Sequence, residues 1–498
     1  TKGRRTQYLK TLEDEGVNLP NVSSILHGAG SKAAKAYKDL FDLWFDAKVS
    51  RIQYLRNLEV EGVNLSNMSS ILNGAGTNAA KSFKELYDLW FDDKGNKTRY
   101  LKTLEDVGIN LPNISSILRR AGAHATKAFK DLYDLWFDVK GNKTKYLKIL
   151  EDKGLNLCTM SGILHKAGSN AAKSFKDLFD LWFHAKGNET LFLRTLESKG
   201  VNIPIISGIL NRAGCRAPKA FKDLFDLWFD GKGNGTQYLK TLEDEGINLP
   251  NMSSILNKAG ANAAKSFKEL YDLWFDAKGI RTQYLKTLED KGVNLPNVAS
   301  ILHGAGSKAG KAFKDLYYLW FDAKGNKTQY LKTMEEEGIN LPNISSILHG
   351  AGSKAGRAFK DLYDVWFDKQ GNKTEHLKHF INKKDRKQSF TLRNLSSIFN
   401  GSGSNARNAF EKLHSVCFDD EGVRTEILDD LYRIGFRPRH LSHVLCGAGT
   451  QAYSTLRKLR SVCLNNEGKK TQLPGDFFEA GFSLSDLCNT LGAAAEIS

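Results

Sequence analysis

The 498-residue chain carries 72 Lys and Arg against 56 Asp and Glu, a net charge of +16, with 41% apolar residues, 26% charged residues and 9 Pro. That balance sustains a continuous core and excludes bulk disorder. No apolar run approaches the roughly 18 residues that cross a membrane. Cys158, Cys215, Cys417, Cys446, Cys463 and Cys488 are scattered without a C-x-x-C pair. A zinc site or disulfide scaffold is therefore not expected, and a reducing, intracellular compartment is. The chain begins at Thr1 rather than Met, as a segment of a longer protein does. The excess of base points to an anionic partner, nucleic acid first and an acidic membrane surface second.

Taken in order, the first nine-residue segment, Thr6–Asp14, places Tyr8, Leu9 and Leu12 on one helical face, and Gly16 closes it. The segment Asn18–Leu26 opens on a candidate N-cap, Asn18, with Pro20 in the first turn and Val22, Ile25 and Leu26 as its apolar stripe. A third helix is expected from Ser31 or Lys32 to Asp46. Tyr37, Leu40, Phe41 and Trp44 fall there at i, i+3, i+4 and i+7. Strand patterns are absent.

This unit then repeats. Trp44, Trp90, Trp136, Trp182, Trp228, Trp274, Trp320 and Trp366 follow one another at steps of 46 residues. Cys417 and Cys463 hold the same slot afterwards, and the step of 51 from Trp366 to Cys417 places a five-residue insertion in the ninth copy, within the basic stretch Asn382–Lys387. The sequence therefore predicts an all-α, right-handed superhelical solenoid of ten three-helix repeats plus a truncated eleventh. Eight regular repeats fill 1–374, two divergent repeats 375–470 and the partial one 471–498. The tryptophans read as inter-repeat core. Lys383–Lys387 reads either as a nuclear import signal or as a basic surface insertion.

Variation between copies gathers in the link between the second and third helices. Its first position holds His27, Asn73, Arg119, His165, Asn211, Asn257, His303, His349, Asn400 and Cys446. Its second holds Gly28, Gly74, Arg120, Lys166, Arg212, Lys258, Gly304, Gly350, Gly401 and Gly447. Free drift of an exposed loop would sample Ser, Asp, Glu and Thr at that second position, and only Gly, Lys and Arg occur. A uniform scaffold that presents one variable side chain per unit suits a polymer reader. Lys and Arg donate to O6 and N7 of guanine, and Gly leaves room for the thymine methyl. The glycine that starts the third helix (Gly30, Gly76, Gly122 and counterparts) would free backbone N–H groups for phosphate. Lys32, Arg216, Lys308 and Lys354 add charge beside it, and Lys35 with Lys38, Lys81 with Lys84 and Lys127 with Lys130 continue a basic stripe.

The run Val22-Ser23-Ser24-Ile25-Leu26-His27-Gly28-Ala29-Gly30-Ser31-Lys32-Ala33 resembles the repeat of transcription activator-like effectors and their bacterial relatives. The resemblance implies double-stranded DNA bound in the major groove at one base per repeat, by a chain monomeric on DNA and delivered to a eukaryotic host nucleus. It also implies that the second link residue meets the base while the first braces the loop. The unit departs from the family's two-helix repeat by its added first helix, and one residue is missing between Ile25 and the pair. With base pairing guanine and Gly pairing thymine, the ten repeats spell TTGGGGTTTT. A HEAT- or armadillo-like protein scaffold is an alternative, but such scaffolds vary along a helix face. A single-stranded RNA reader is another, but no stacking aromatic recurs beside the link. No cofactor or metal is expected, and no catalytic activity either. Every His sits in a repeated slot or alone, and no nucleophile–base set breaks the period.

Overall fold

The computed structural model describes residues 7–46, 51–381, 388–465, 468–469 and 471. Among them thirty α-helices and ten 3-10 turns recur in one order, with no strands. In the third repeat, helix A is Arg99–Asp106, helix B is Leu111–Leu118, a 3-10 turn covers Gly122–His124, and helix C is Ala125–Trp136. The same set runs from Gln7–Asp14 in the first repeat to Ala452–Cys463, the last helix described. The chain is thus an all-α tandem-repeat solenoid of ten three-helix units. The expected partial repeat at 471–498 lies, apart from Thr471, outside the described residues, as does the basic insertion at 382–387.

Local chemistry fixes each boundary. Helix A ends where Gly108 turns to φ +77°; its N–H donates to Glu105 O at 2.9 Å and that of Ile109 to Leu104 O at 2.9 Å. Helix B starts at a reciprocal pair: Asn110 Oδ1 accepts from Asn113 N at 3.0 Å, and Asn113 Oδ1 from Asn110 N at 3.3 Å. Helix C stops at Phe137, in extended backbone. The chain then reverses through a turn that sequence periodicity does not reveal. Asp138 Oδ1 accepts from Lys140 N and Asn142 N, and Gly141 takes φ +85°. Phe137 and Lys143 pair in an isolated bridge, and Thr144 Oγ1 donates to Leu135 O. The side-chain and backbone amides of Asn142 hold the Asp138 carboxyl below the usual carboxylate range.

Two compact units divide the chain. One comprises Thr1–Leu239 with Asn257–Lys265, the other Lys240–Leu256 with Ser266–Ser498. Within each, the core is the stacked face of helix C. All eight tryptophans are at most 1% exposed, as the sequence predicts. Trp182 meets the Phe221 ring of the next repeat edge-on, with centroids 6.0 Å apart. Cys417 and Cys463 fill the same slot, fully buried, and desolvation pushes both thiols up. A second ladder crosses the repeats on their surface. Arg51 bridges Glu15 and Glu59, Lys97 bridges Glu61 and Glu105, and Arg281 bridges Glu245 and Glu289. At Lys153 and Glu189 the two charges have exchanged places and the pair is kept.

Candidate nucleic-acid interface

Helix B closes on an apolar residue at the positions of Leu26, Leu118 or Leu210, and the link begins at the next one. The second link residue has left-handed backbone in every repeat, from φ +83° at Gly28 to φ +70° at Gly447. Arg120, Lys166, Arg212 and Lys258 take φ +68°, +64°, +65° and +65°, and no other non-glycine described residue has positive φ. Glycine adopts this conformation freely, whereas a Cβ costs about 1–2 kcal/mol. The abundance of Gly in this slot therefore has a conformational reason that the sequence only hints at.

The same residue is pinned to the preceding repeat. In the first unit the N–H groups of Gly74, Arg120, Lys166, Arg212 and Lys258 donate to the carbonyls of Ser24, Ser70, Ser116, Gly162 and Gly208 at 2.8–2.9 Å. In the second, Gly304, Gly350, Gly401 and Gly447 donate to Ser254, Ser300, Ser346 and Ser397 at 2.9–3.1 Å. All ten second link residues are nevertheless exposed. From the second repeat on, each link is thus a pinned tab: its amide faces the previous repeat while its second residue is exposed to solvent.

The first link residues lean on the repeat before them where that contact is defined. A Cβ built on Gly162 would lie 3.1 Å from Asn211 Nδ2, and one on Gly208 would lie 3.2 Å from Asn257 Oδ1. The Ser397 hydroxyl donates to Cys446 Sγ at 3.1 Å. Asn73 and His165 are half-buried; His27, Arg119, His303, His349 and Asn400 are exposed.

The glycine that opens the 3-10 turn has a packing role that the sequence does not announce. A Cβ on Gly122 would sit 2.9 Å from Asn73 O, and one on Gly76 would sit 3.1 Å from His27 O. Both glycines are buried, whereas Gly30, in the first repeat, is exposed with no atom within 4 Å of its Cβ direction. Lys32, Arg216, Lys308 and Lys354, at the end of the turn, are exposed. The expected basic stripe on helix C is partly neutralised by its own helix. Lys38 pairs with Asp42, Lys84 with Asp88, Lys127 with Asp131 and Lys222 with Asp226, all at i,i+4.

In the first unit the links gather charge of one sign. Burial pushes the Lys166 ammonium below its ordinary value, and Arg119, Arg120 and Arg212 push it further. His165 is lowered by burial first, then by Lys166, Arg212 and Arg119. Such a cluster favours an anion.

One grouping escapes the sequence reading of isolated histidines. His376, His379 and His414 meet in the ninth repeat, where the third repeat has Tyr100, Thr103 and Tyr133. His379 Nδ1 lies 2.9 Å from His414 Nε2, and the His376 and His414 ring centroids lie 4.5 Å apart. Desolvation, followed by the two neighbouring imidazoles, lowers His414 to about 4. No group of three or more His, Cys, Asp or Glu among the described residues is arranged to hold a metal ion, and no described helix is long and apolar enough to cross a membrane. No known family model matches the chain, and no curated protein matches it.

Proposed function

We propose that the chain is a sequence-specific double-stranded DNA-binding protein that reads about one base per repeat in the major groove through the second link residue. One observation carries the proposal. Four successive repeats put Arg or Lys into left-handed backbone, at Arg120, Lys166, Arg212 and Lys258, where Gly would be free of strain. Asn and Asp, the side chains that tolerate this conformation best, never occupy the slot. Strain retained in four exposed positions serves a contact outside the chain. The edge that a guanidinium or ammonium meets best is O6 and N7 of guanine. At Gly74, Gly304, Gly350, Gly401 and Gly447 the amide is already held by the preceding repeat, so only the α-carbon would face the base, which suits the apolar thymine methyl. The reading is TTGGGGTTTT, one letter per repeat from the N-terminus, running 5′ to 3′ on the contacted strand as the resemblance to the effector repeats implies. Lys32, Arg216, Lys308 and Lys354 would meet phosphates.

Two exchanges within the array test it. Arg212→Gly should lose the preference for guanine at the fifth base alone, a change of roughly 1–3 kcal/mol. Gly304→Lys should create a guanine preference at the seventh. If both variants keep the parent's preference at every position, the link does not read bases.

A further inference from the structure

Repeats nine and ten differ from the first eight on one face of helix B. The slot of Pro20 is Pro in six of the first eight repeats and Ser66 or Cys158 in the others, but it is Arg393 in the ninth and Arg439 in the tenth. The slot of Ser24 becomes His443 in the tenth. These three side chains line one groove of about 540 Å³ in the second unit. Its walls are tied across the repeat boundary: Asn394 Nδ2 donates to Ser442 Oγ at 3.1 Å, and the Ser397 hydroxyl to Cys446 Sγ at 3.1 Å. Both arginines are exposed, and no carboxylate is among the described residues that line the groove.

The groove's serine hydroxyls already donate within the chain, and Arg439 Nε donates to His440 Nε2 at 3.1 Å. The terminal nitrogens of the two guanidinium groups beside an imidazole, with no acid among the lining residues, make the donor set for an oxyanion. Arg pairs with phosphate through two parallel N–H···O bonds. The groove is bordered by Asn400 and Cys446, the first link residues of the two repeats, so it opens beside the links. A polymer followed by the links of repeats nine and ten would carry its backbone into it. We infer that the groove clamps the sugar-phosphate backbone of nucleic acid at this end of the array, whatever the base sequence. The identity of the polymer rests on the function proposed above; Arg393 and Arg439 lie on helix B and are separate from the second link residues.

The test uses the full chain and the double variant Arg393→Gln/Arg439→Gln, with fluorescence anisotropy on two duplexes of equal length across a salt series. One duplex contains TTGGGGTTTT and the other scrambles it. Both substituted side chains are exposed, and an unchanged circular dichroism melt verifies that the fold is kept. The expected result is a loss of affinity of about tenfold or more on both duplexes. The slope of log K against log salt should shrink by about two, one contacted phosphate per arginine, and base preference should stay as in the parent. Arg393→Lys/Arg439→Lys should restore most of the slope. Unchanged affinity and slope in the Gln variant overturn the inference, and so does a loss confined to one sequence. A parent that binds both duplexes equally sinks the base-reading function, while a salt-dependent loss in the Gln variant would still uphold the groove. A parent that binds neither duplex sinks both.

Discussion

The backbone N–H of Arg120 donates to the carbonyl oxygen of Ser70, 2.9 Å away in the preceding repeat. The bond fixes the link tab and holds Arg120 at φ +68°. Strain and anchor sit in one residue, which separates stability from recognition. Arg120→Gly keeps the amide and removes the Cβ, so it should stabilise the chain by about 1 kcal/mol. Denaturant melting checks this. A destabilised variant would mean that the Arg side chain supports the fold, and the strain argument for a partner would lapse.

Packing between neighbouring links should be just as sensitive. Gly122→Ala drives a Cβ to 2.9 Å from Asn73 O at φ +58°, whereas Gly30→Ala, at φ +55°, meets nothing within 4 Å. The first should cost about 2–3 kcal/mol, strain plus a backbone clash, and the second about 1 kcal/mol of strain alone. Thermal melts of the two variants side by side would show the gap. Equal losses would remove the close approach as the reason for the buried glycine.

At the core, Trp182 is fully buried and its indole N–H has no acceptor within hydrogen-bonding reach. Trp182→Ala should cost roughly 3–5 kcal/mol through the cavity it leaves. Trp182→Phe keeps an aromatic body and removes a buried donor, so its cost should be less than half of that. Urea titrations of both variants give the comparison.

Acid should act on the ninth repeat through His414. Its folded pKa, about 4, lies below the ordinary 6.5. The unfolded chain therefore takes up the proton first, and stability falls as pH drops from 6.5 towards 4. The loss is on the order of 2–3 kcal/mol, complete near the lower value. His379 and His376, the imidazoles that face it, add to the repulsion when charged. His414→Tyr, the residue found at Tyr133, should flatten this part of the stability–pH profile. Hydrogen exchange in helix Ala406–Cys417 at pH 7 and pH 5 would detect it.

Much of the fold was legible because its signals are local and repeated. The steps between Trp44 and Trp90 and their successors set the unit, Asn18 and Pro20 mark a helix start, and Gly16 marks a helix end. The link is legible because variation between copies gathers there and its second position holds only Gly, Lys and Arg. Its conformation was not legible: six glycines among ten residues are a hint of left-handed backbone, but Arg120 and Lys166 carry no sign of it. Nor does sequence show that Gly122 backs onto Asn73 O, since that is a contact between neighbouring repeats. The pairing of Lys38 with Asp42 could have been found from the i,i+4 spacing, which discounts the basic stripe. His376, His379 and His414 fall on two helices 35 residues or more apart, and only packing of helix A on helix C joins them.

Selection of bound sequences from a random duplex DNA library reads the base preference of all ten links at once. The expected result is enrichment of a site with a run of four guanines flanked by thymines, TTGGGGTTTT, with the guanine positions fixed most strongly. Sequences recovered without enrichment, or with guanine absent opposite Arg120, Lys166, Arg212 and Lys258, would contradict it.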